Sequence, residues 1–282
     1  MTVINTNMSA LFAKNSLTIN GRAMGAAMEQ LSTGLRINSA KDDAAGLAIS
    51  DKMTSQIRGL QQAVNNGNDA ISLLQTAEGS MVQQTAMLQR MRELAVQAST
   101  DTTTDSDKAN IDREYQKLLT QIDNVGKQTE WNGEKLLNAS HGPEGHLGRY
   151  TFQIGANEGD IVEMQIDDFT VTGEDSVLKD LNETDIATAE AAQEMLAIIS
   201  AAIDKIDEQR STLGAGINQL TYSLDNLTNV VQNATASRSR IMDTDYATAS
   251  SNLAKAQIIQ QAATAMLAQA NQQPQTVLAL LK

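Results

Sequence analysis

Apolar side chains recur along most of this chain in alternating steps of three and four, the spacing of one stripe on a helix. The longest run goes from Ala189 to Ile241. Its seam includes Leu196, Ile199, Ile203, Ile206, Leu213, Ile217, Leu220, Leu224 and Leu227, and only Arg210 and Arg238 interrupt it. One continuous helix over that range is about 80 Å long at 1.5 Å per residue. Such lengths are usual in coiled coils and unusual in compact domains. A second long helix is predicted from Asp43 to Ser99. There Met53, Leu60, Gly67, Leu74, Met81, Leu88 and Ala95 are spaced by seven, with Ile57, Val64 and Ile71 on the accompanying seam. Glu78, Thr85 and Arg92 occupy that seam later, so the stripe is expected to drift toward Ala77, Met91 and Leu94, a stutter. Leu60, Leu74, Leu88, Leu196, Ile203, Leu213, Leu220 and Leu227 are the expected core of the two paired helices.

Both ends of the chain carry the helical period with few charges. From about Met8, Leu17, Met24, Met28, Leu31 and Leu35 keep the spacing, with Gly21 in a vacant slot and Leu11 near the start. Thr33-Gly34 and Asn38-Ser39 then read as turns, and Ser39, three residues before Asp42, is placed to cap the next helix. At the other end, Ala256–Leu281 runs 26 residues without a charged side chain. Ile259, Ala263, Met266, Ala270, Val277 and Leu280 repeat by four and three, and Leu253 precedes them. Pro274 lacks an N–H and is expected to end or kink the helix. The segment is long enough to span a bilayer, but its seven Gln argue against that, since a buried amide is costly in lipid. A helix with almost no charged face needs neighbours on most sides. Those neighbours are expected to include other copies of this chain. Small residues there (Ala262, Ala263, Ala265, Ala268, Ala270) suit slight axial sliding between copies.

The centre reads differently. Thr100–Ser106 is polar and loop-like. A shorter helix follows through Ile111, Tyr115, Leu118, Ile122 and Val125, and Trp131-Asn-Gly133 reads as a turn anchored by a ring. Tyr150, Phe152 and Ile154 alternate with polar residues, as do Val162, Met164 and Ile166, which predicts a β-hairpin around Gly155–Asp160.

The pattern is therefore nearly symmetrical: sparse-charge helix, long helix, mixed middle, long helix, sparse-charge helix. The predicted fold class is mainly α, a rod of long antiparallel coiled-coil helices with one small β-hairpin region. The terminal helices would pair in a polymer. The expected divisions are 1–42 and 242–282 (halves of an inner helical domain), 43–138 and 186–241 (the two sides of the rod), and 139–185 (acidic hairpin and loops). A two-helix hairpin alone cannot cover the faces of its terminal helices. Each Leu, Ile or Met left in water forfeits about 1.5–3 kcal/mol of burial, against a backbone ordering cost of about 1–2 kcal/mol per residue. The ends are thus expected to be disordered in a lone molecule and ordered by assembly.

Composition sharpens this picture. Aromatics make up 3% of the chain, there are two prolines, and cysteine is absent. That suits long aliphatic helices and excludes disulfides and thiolate chemistry. No signal-peptide pattern opens the sequence, so ordinary signal-peptide export is not expected. The formal charge is −13, and residues 100–185 alone hold 19 acidic and 7 basic side chains. The acidic middle reads as a solvated surface, with no electrostatic footprint for nucleic acid. The only histidines, His141 and His146, flank Glu144 in a Gly-Pro loop. Two His and a Glu can ligate Zn²⁺ or Ni²⁺, but nothing in such a loop fixes the geometry. It reads as a flexible surface loop. With no P-loop, GxGxxG or Ser/His/Asp arrangement, catalysis is not expected, nor is a cofactor.

Four blocks resemble bacterial flagellin. They are Ile4-Asn-Thr-Asn7, Leu31-Ser-Thr-Gly-Leu-Arg-Ile-Asn-Ser-Ala-Lys-Asp-Asp-Ala-Ala-Gly46, Ser237-Arg-Ser-Arg-Ile-Met-Asp-Thr-Asp-Tyr-Ala247 and Leu267-Ala-Gln-Ala-Asn-Gln-Gln-Pro-Gln-Thr-Val-Leu-Ala-Leu-Leu281. The resemblance implies a filament subunit for swimming, in a short form lacking large outer domains, whose terminal helices form an inner tube. Leu11, Leu17, Met24, Met28, Leu31, Leu253, Ile259, Ala263, Met266, Ala270, Val277 and Leu280 would pack that tube. It also implies export unfolded through the flagellar channel to the extracellular filament. The implied partners are a flagellar secretion chaperone, hook-junction and filament-cap proteins, and many copies of the chain itself. Gln89-Arg-Met-Arg-Glu-Leu-Ala-Val-Gln97 is similar to the stretch recognised by the vertebrate Toll-like receptor 5, which places Gln89, Arg90, Leu94 and Glu114 at contact positions. The bland alternative is that Arg90 and Glu114 form an ordinary surface pair worth about 0–1 kcal/mol. Three other functions stay open at this point: a hook–filament junction protein, a monomeric secreted ligand or adhesin, and a filament-borne metalloenzyme.

Overall fold

A computed structural model describes residues 6–141, 148–173, 176–182 and 184–280, with side chains described as far as 272. Five helices carry the chain: α1 (Met8–Thr33), α2 (Ala44–Ala98), α3 (Asp105–Gln128), α4 (Ala189–Met242) and α5 (Tyr246–Leu280). Two antiparallel hairpins lie between α3 and α4, namely β1–β2 (Glu130–Trp131, Glu134–Lys135) and β3–β4 (Arg149–Gln153, Ile161–Gln165). The chain divides into two compact units, Met1–Ile57 with Gln232–Lys282, and Arg58–Val231.

Local chemistry sets the boundaries. Ser39 and Asp42 bond to each other within the turn, through the Ser39 N–H and hydroxyl to Asp42 Oδ2 at 3.0 and 2.9 Å. The first turn of α2 is instead capped by Asp43, whose Oδ1 accepts from the Gly46 N–H at 2.8 Å. Ser39 therefore closes the turn and does not cap the helix. Helix α3 opens on a capping box in which Thr104 and Asp107 exchange side-chain and backbone bonds. Asn132 and Gly133, both at positive φ, form the two-residue turn of β1–β2.

In the central unit α2 and α4 run antiparallel. A Cβ on Gly67 would meet Leu224 Cδ2 at 2.5 Å, and further along Glu78 lies 4.0 Å from Arg210. Leu60, Leu74, Leu88, Leu213 and Leu220 are buried, whereas Leu196, Ile203 and Leu227 are half-buried. On α2 the stripe does move to Ala77, Met91 and Leu94, all buried.

The α4 seam departs from expectation. It follows Ala192, Met195, Ile199, Ala202, Ile206, Gln209, Leu213, Gly216 and Leu220, so every second position sits one residue earlier than the apolar period suggested. The β3–β4 hairpin explains this. Its inner face, with Tyr150 opposite Met164 and Phe152 opposite Val162, packs into the same core. Met164 lies over Gly216, where an added Cβ would approach its Sδ to 2.7 Å, and Gln209 Nε2 donates to the Gln165 carbonyl at 2.7 Å. Leucines at 209 and 216 would exclude the hairpin.

Candidate assembly surface

The terminal unit is built on α1 and α5. Asn7 Nδ2 donates to the Ala270 carbonyl and Asn20 Nδ2 to the Ala256 carbonyl, each at 2.7 Å. Thirteen residues forward along α1 thus correspond to fourteen back along α5, which makes the pair antiparallel. On α1 the more buried positions are Ala10, Ala13, Leu17, Asn20, Met24, Ala27 and Leu31; on α5 they are Ala249, Leu253, Ala256, Gln260, Ala263, Leu267 and Ala270. Both sets step by three and four, and alanine dominates each. Small side chains let the two backbones approach, and the Asn amides then reach carbonyls across the seam.

The α5 residues expected to pack an inner tube divide between this seam and the outer surface. Leu253, Ala263 and Ala270 belong to the seam, but Ile259 and Met266 point away and are exposed. On α1, Leu17, Met24 and Leu31 are half-buried in the pair, while Leu11 and Met28 are exposed. Helix α5 also continues past Pro274 to Leu280. Val277 and Leu280 lie on this last part, outside the described side chains.

The outer faces of the pair carry most of the exposed large apolar side chains, set among polar ones. Among the described residues fifteen large hydrophobics are exposed, and ten of them lie in the terminal unit: Met8, Leu11, Phe12, Ile19, Met28, Ile49, Tyr246, Ile258, Ile259 and Met266. No helix among the described residues is long and apolar enough to cross a membrane.

The turns after α1 and after α4 meet in the same unit. Gly34, at φ 73°, ends α1, and its carbonyl accepts from the Thr244 N–H at 2.9 Å. Arg36 donates its backbone N–H to the Met242 carbonyl and its guanidinium to the Ile241 carbonyl, both at 2.6 Å. A cation thus sits on the last carbonyls of α4, where the helix dipole favours it. The Asp245 carboxylate accepts from the Thr248 hydroxyl and the Ala247 N–H, which lowers its pKa and caps α5. The blocks 31–46 and 237–247 are therefore two sides of one junction.

On the central unit, Arg90 bonds Glu114 through Nε and Nη2 at 3.0 and 2.9 Å and Glu93 through Nη1 at 2.9 Å. Gln89 is exposed beside them. Leu94 is only 2% exposed, packed in the helical core, so a receptor could not touch it in this conformation. The stutter that brings the stripe over Leu94 also buries it.

His141 is not in a free loop. Its Nδ1 lies 2.5 Å from Glu134 Oε2 and its ring stacks on Tyr150 at 4.5 Å. Burial, with Glu134 adding to it, pushes the Tyr150 phenol up to about 12. Glu144 and His146 lie outside the described residues, and among those described no cluster of three potential metal ligands occurs.

Sequence reasoning missed the roles of Asn7, Asn20 and Gln260 and of Ala10, Ala13, Ala27, Ala249 and Ala256 in the seam. The signal was present as the unbroken spacing 249, 253, 256, 260, 263, 267 and 270, but alanine and glutamine drew less weight than the larger Ile259 and Met266.

Paired chain-end helices with a polar-pinned alanine seam and large apolar side chains exposed on their outer faces define a structural helical subunit. Comparison with known proteins names its kind. Family models described as the bacterial flagellin N-terminal and C-terminal helical regions match residues 4–141 and 196–281. The chain is 43% identical to flagellin of Halalkalibacterium halodurans over 99% of itself and 100% of that protein. It is 42% identical to Bacillus subtilis flagellin over 99% of each. A solved structure described as a flagellar hook-associated protein of Vibrio parahaemolyticus is similar in fold, with TM-score 0.61 and 14% identity over 72% of this chain and 100% of that one. The chain belongs to the bacterial flagellin family, and it is a structural subunit of the flagellar filament that polymerises with copies of itself.

Proposed function

We propose that assembly proceeds by covering the outer faces of α1 and α5 with the same faces of neighbouring copies. The observation that carries this is the concentration of exposed large hydrophobics on the terminal unit. Covering one such side chain contributes about 1.5–3 kcal/mol, which supports a reading in which the termini become ordered only as copies crowd round a common axis. The chain has no catalytic role in this reading.

Before assembly the same faces need protection. A secretion chaperone would hold the C-terminal segment while the chain travels unfolded through the flagellar channel to the cell exterior. Hook-junction and filament-cap proteins would meet it there. On the free chain, the exposed Gln89, Arg90 and Glu114 are the groups that a Toll-like receptor 5 would contact, with Leu94 supporting them from beneath.

Deletion of Gln257–Lys282, with secretion and assembly assayed separately, tests this reading. Loss of assembly is expected, and filaments of normal length from the truncated chain would refute it.

A further inference from the structure

We propose that the exposed methionines of the terminal helices, Met8 and Met28 on α1 and Met266 on α5, are a peroxide-sensitive modification site that decides whether the chain can assemble. The proposal rests on the reading that copies of the chain cover these faces.

The twelve methionines fall into contrasting environments. Met8, Met28 and Met266 are 48%, 56% and 64% exposed, while Met81 and Met91 are at 0% in the central core. Met164 and Met195 are buried there too. With no cysteine in the chain, the thioethers are its only sulfur. An attacking peroxide therefore has no thiol to consume it first, and access decides which thioether reacts.

The step balances without any group from the protein. A thioether lone pair attacks one oxygen of hydrogen peroxide and an S–O bond forms as the O–O bond breaks. The attacked oxygen's proton passes to the departing hydroxide, which leaves as water. Sulfur loses two electrons and the peroxide gains them. The product replaces an apolar, adaptable side chain with a strongly polar S–O group.

The neighbourhood makes that change costly on assembly. The only charged residues of α1 are Lys14, Arg22 and Glu29, and the described residues after Lys255 carry none. A sulfoxide closed into a contact between copies forfeits its hydration unless a neighbouring amide or hydroxyl replaces it. Once copies cover the three side chains, the same reagent no longer reaches them. The site therefore reports and controls the unassembled state, and methionine sulfoxide reductase is the class of enzyme that would reverse it.

Equal hydrogen peroxide is applied to unassembled chain and to preformed filament, oxygen uptake is mapped by peptide mass, and polymer is measured by sedimentation. Met8, Met28 and Met266 are expected to oxidise well before Met81 and Met91 in the unassembled chain, with pelletable polymer lost in step. Reductase treatment is expected to restore it, and the M8L/M28L/M266L variant to assemble after peroxide. The proposal is overturned if polymer forms normally with all three oxidised, if the triple variant is as peroxide-sensitive as the natural chain, or if the three oxidise as fast in filament as before assembly. Should the triple variant not assemble untreated, reductase reversal in the natural chain decides alone. Untreated natural chain that never assembles would instead refute the assembly reading beneath it.

Discussion

Asn20 and Ala256 are joined across the α1–α5 seam by a 2.7 Å bond from the Asn20 amide to the Ala256 carbonyl, at a position only 8% exposed. A buried amide in an alanine-lined seam fixes register, because any other alignment strands it without a partner. The Asn7–Ala270 bond does the same nearer the chain start.

Replacing Asn20 with Ala removes one neutral hydrogen bond, about 0.5–1.5 kcal/mol. The expected result is weaker polymer with faster end dissociation, seen by sedimentation after dilution. Asn20→Leu removes the polar group without leaving a cavity, so it is expected to keep affinity while loosening register, visible as heterogeneous filament diffraction. A uniform, unchanged polymer from both variants would remove the register role.

Two helical glycines should respond in opposite directions. A Cβ at Gly126 meets the Phe169 carbonyl oxygen at 2.8 Å and Thr170 Cα at 3.1 Å, both backbone, whereas a Cβ at Gly79 meets nothing within 4 Å. Gly79→Ala is expected to stabilise the central unit by about 1 kcal/mol through helix propensity. Gly126→Ala is expected to destabilise it by about 1–3 kcal/mol because the strand-side backbone must move. Urea denaturation of the two variants measures both signs.

Asp123 predicts an acid-sensitive tether. Burial alone would raise its pKa. The Lys127 ammonium at 2.6 Å and the Val171 and Thr172 N–H groups outweigh burial and leave the pKa lowered. A depressed folded pKa means the stabilisation is fully present above the unfolded carboxylate pKa and is lost as pH falls through the folded value. The protection of the Val171 amide, relative to its intrinsic exchange rate at each pH, should therefore fall below the ordinary carboxylate range, and Asp123→Asn should remove most of that pH dependence. Equal pH dependence in the variant would exclude the tether.

At the proposed receptor patch, Arg90→Ala and Leu94→Ala should separate. Arg90 is exposed, so its loss is expected to leave stability nearly unchanged while reducing receptor signalling. Leu94→Ala empties core volume and is expected to cost about 2–5 kcal/mol, so its signalling loss should track unfolding. Thermal melts beside a receptor reporter assay distinguish them. An Arg90→Ala protein that signals normally would refute direct recognition.

Much of the fold was readable because aliphatic periodicity is a strong signal over fifty residues. It located α2, α4 and the stutter toward Met91 and Leu94. It failed where another element intrudes: Gln209 and Gly216 look like poor core positions until the hairpin is seen lying on them. The same weakness hid Asn20 and the alanines of the α1–α5 seam, since small and polar side chains carry little hydrophobic signal yet permit close approach. The junction of Arg36 with Ile241 and Met242 joins residues two hundred positions apart, and no local pattern encodes it. Pro274 shows the converse, a helix-ending signal that α5 runs through.

Hydrogen exchange resolved by residue compares the terminal and central helices most directly. In dilute, unassembled chain the account predicts rapid exchange at Met266 and strong protection at Leu220, with Met266 becoming protected in filament. Protection at Met266 equal to that at Leu220 before any assembly would contradict it.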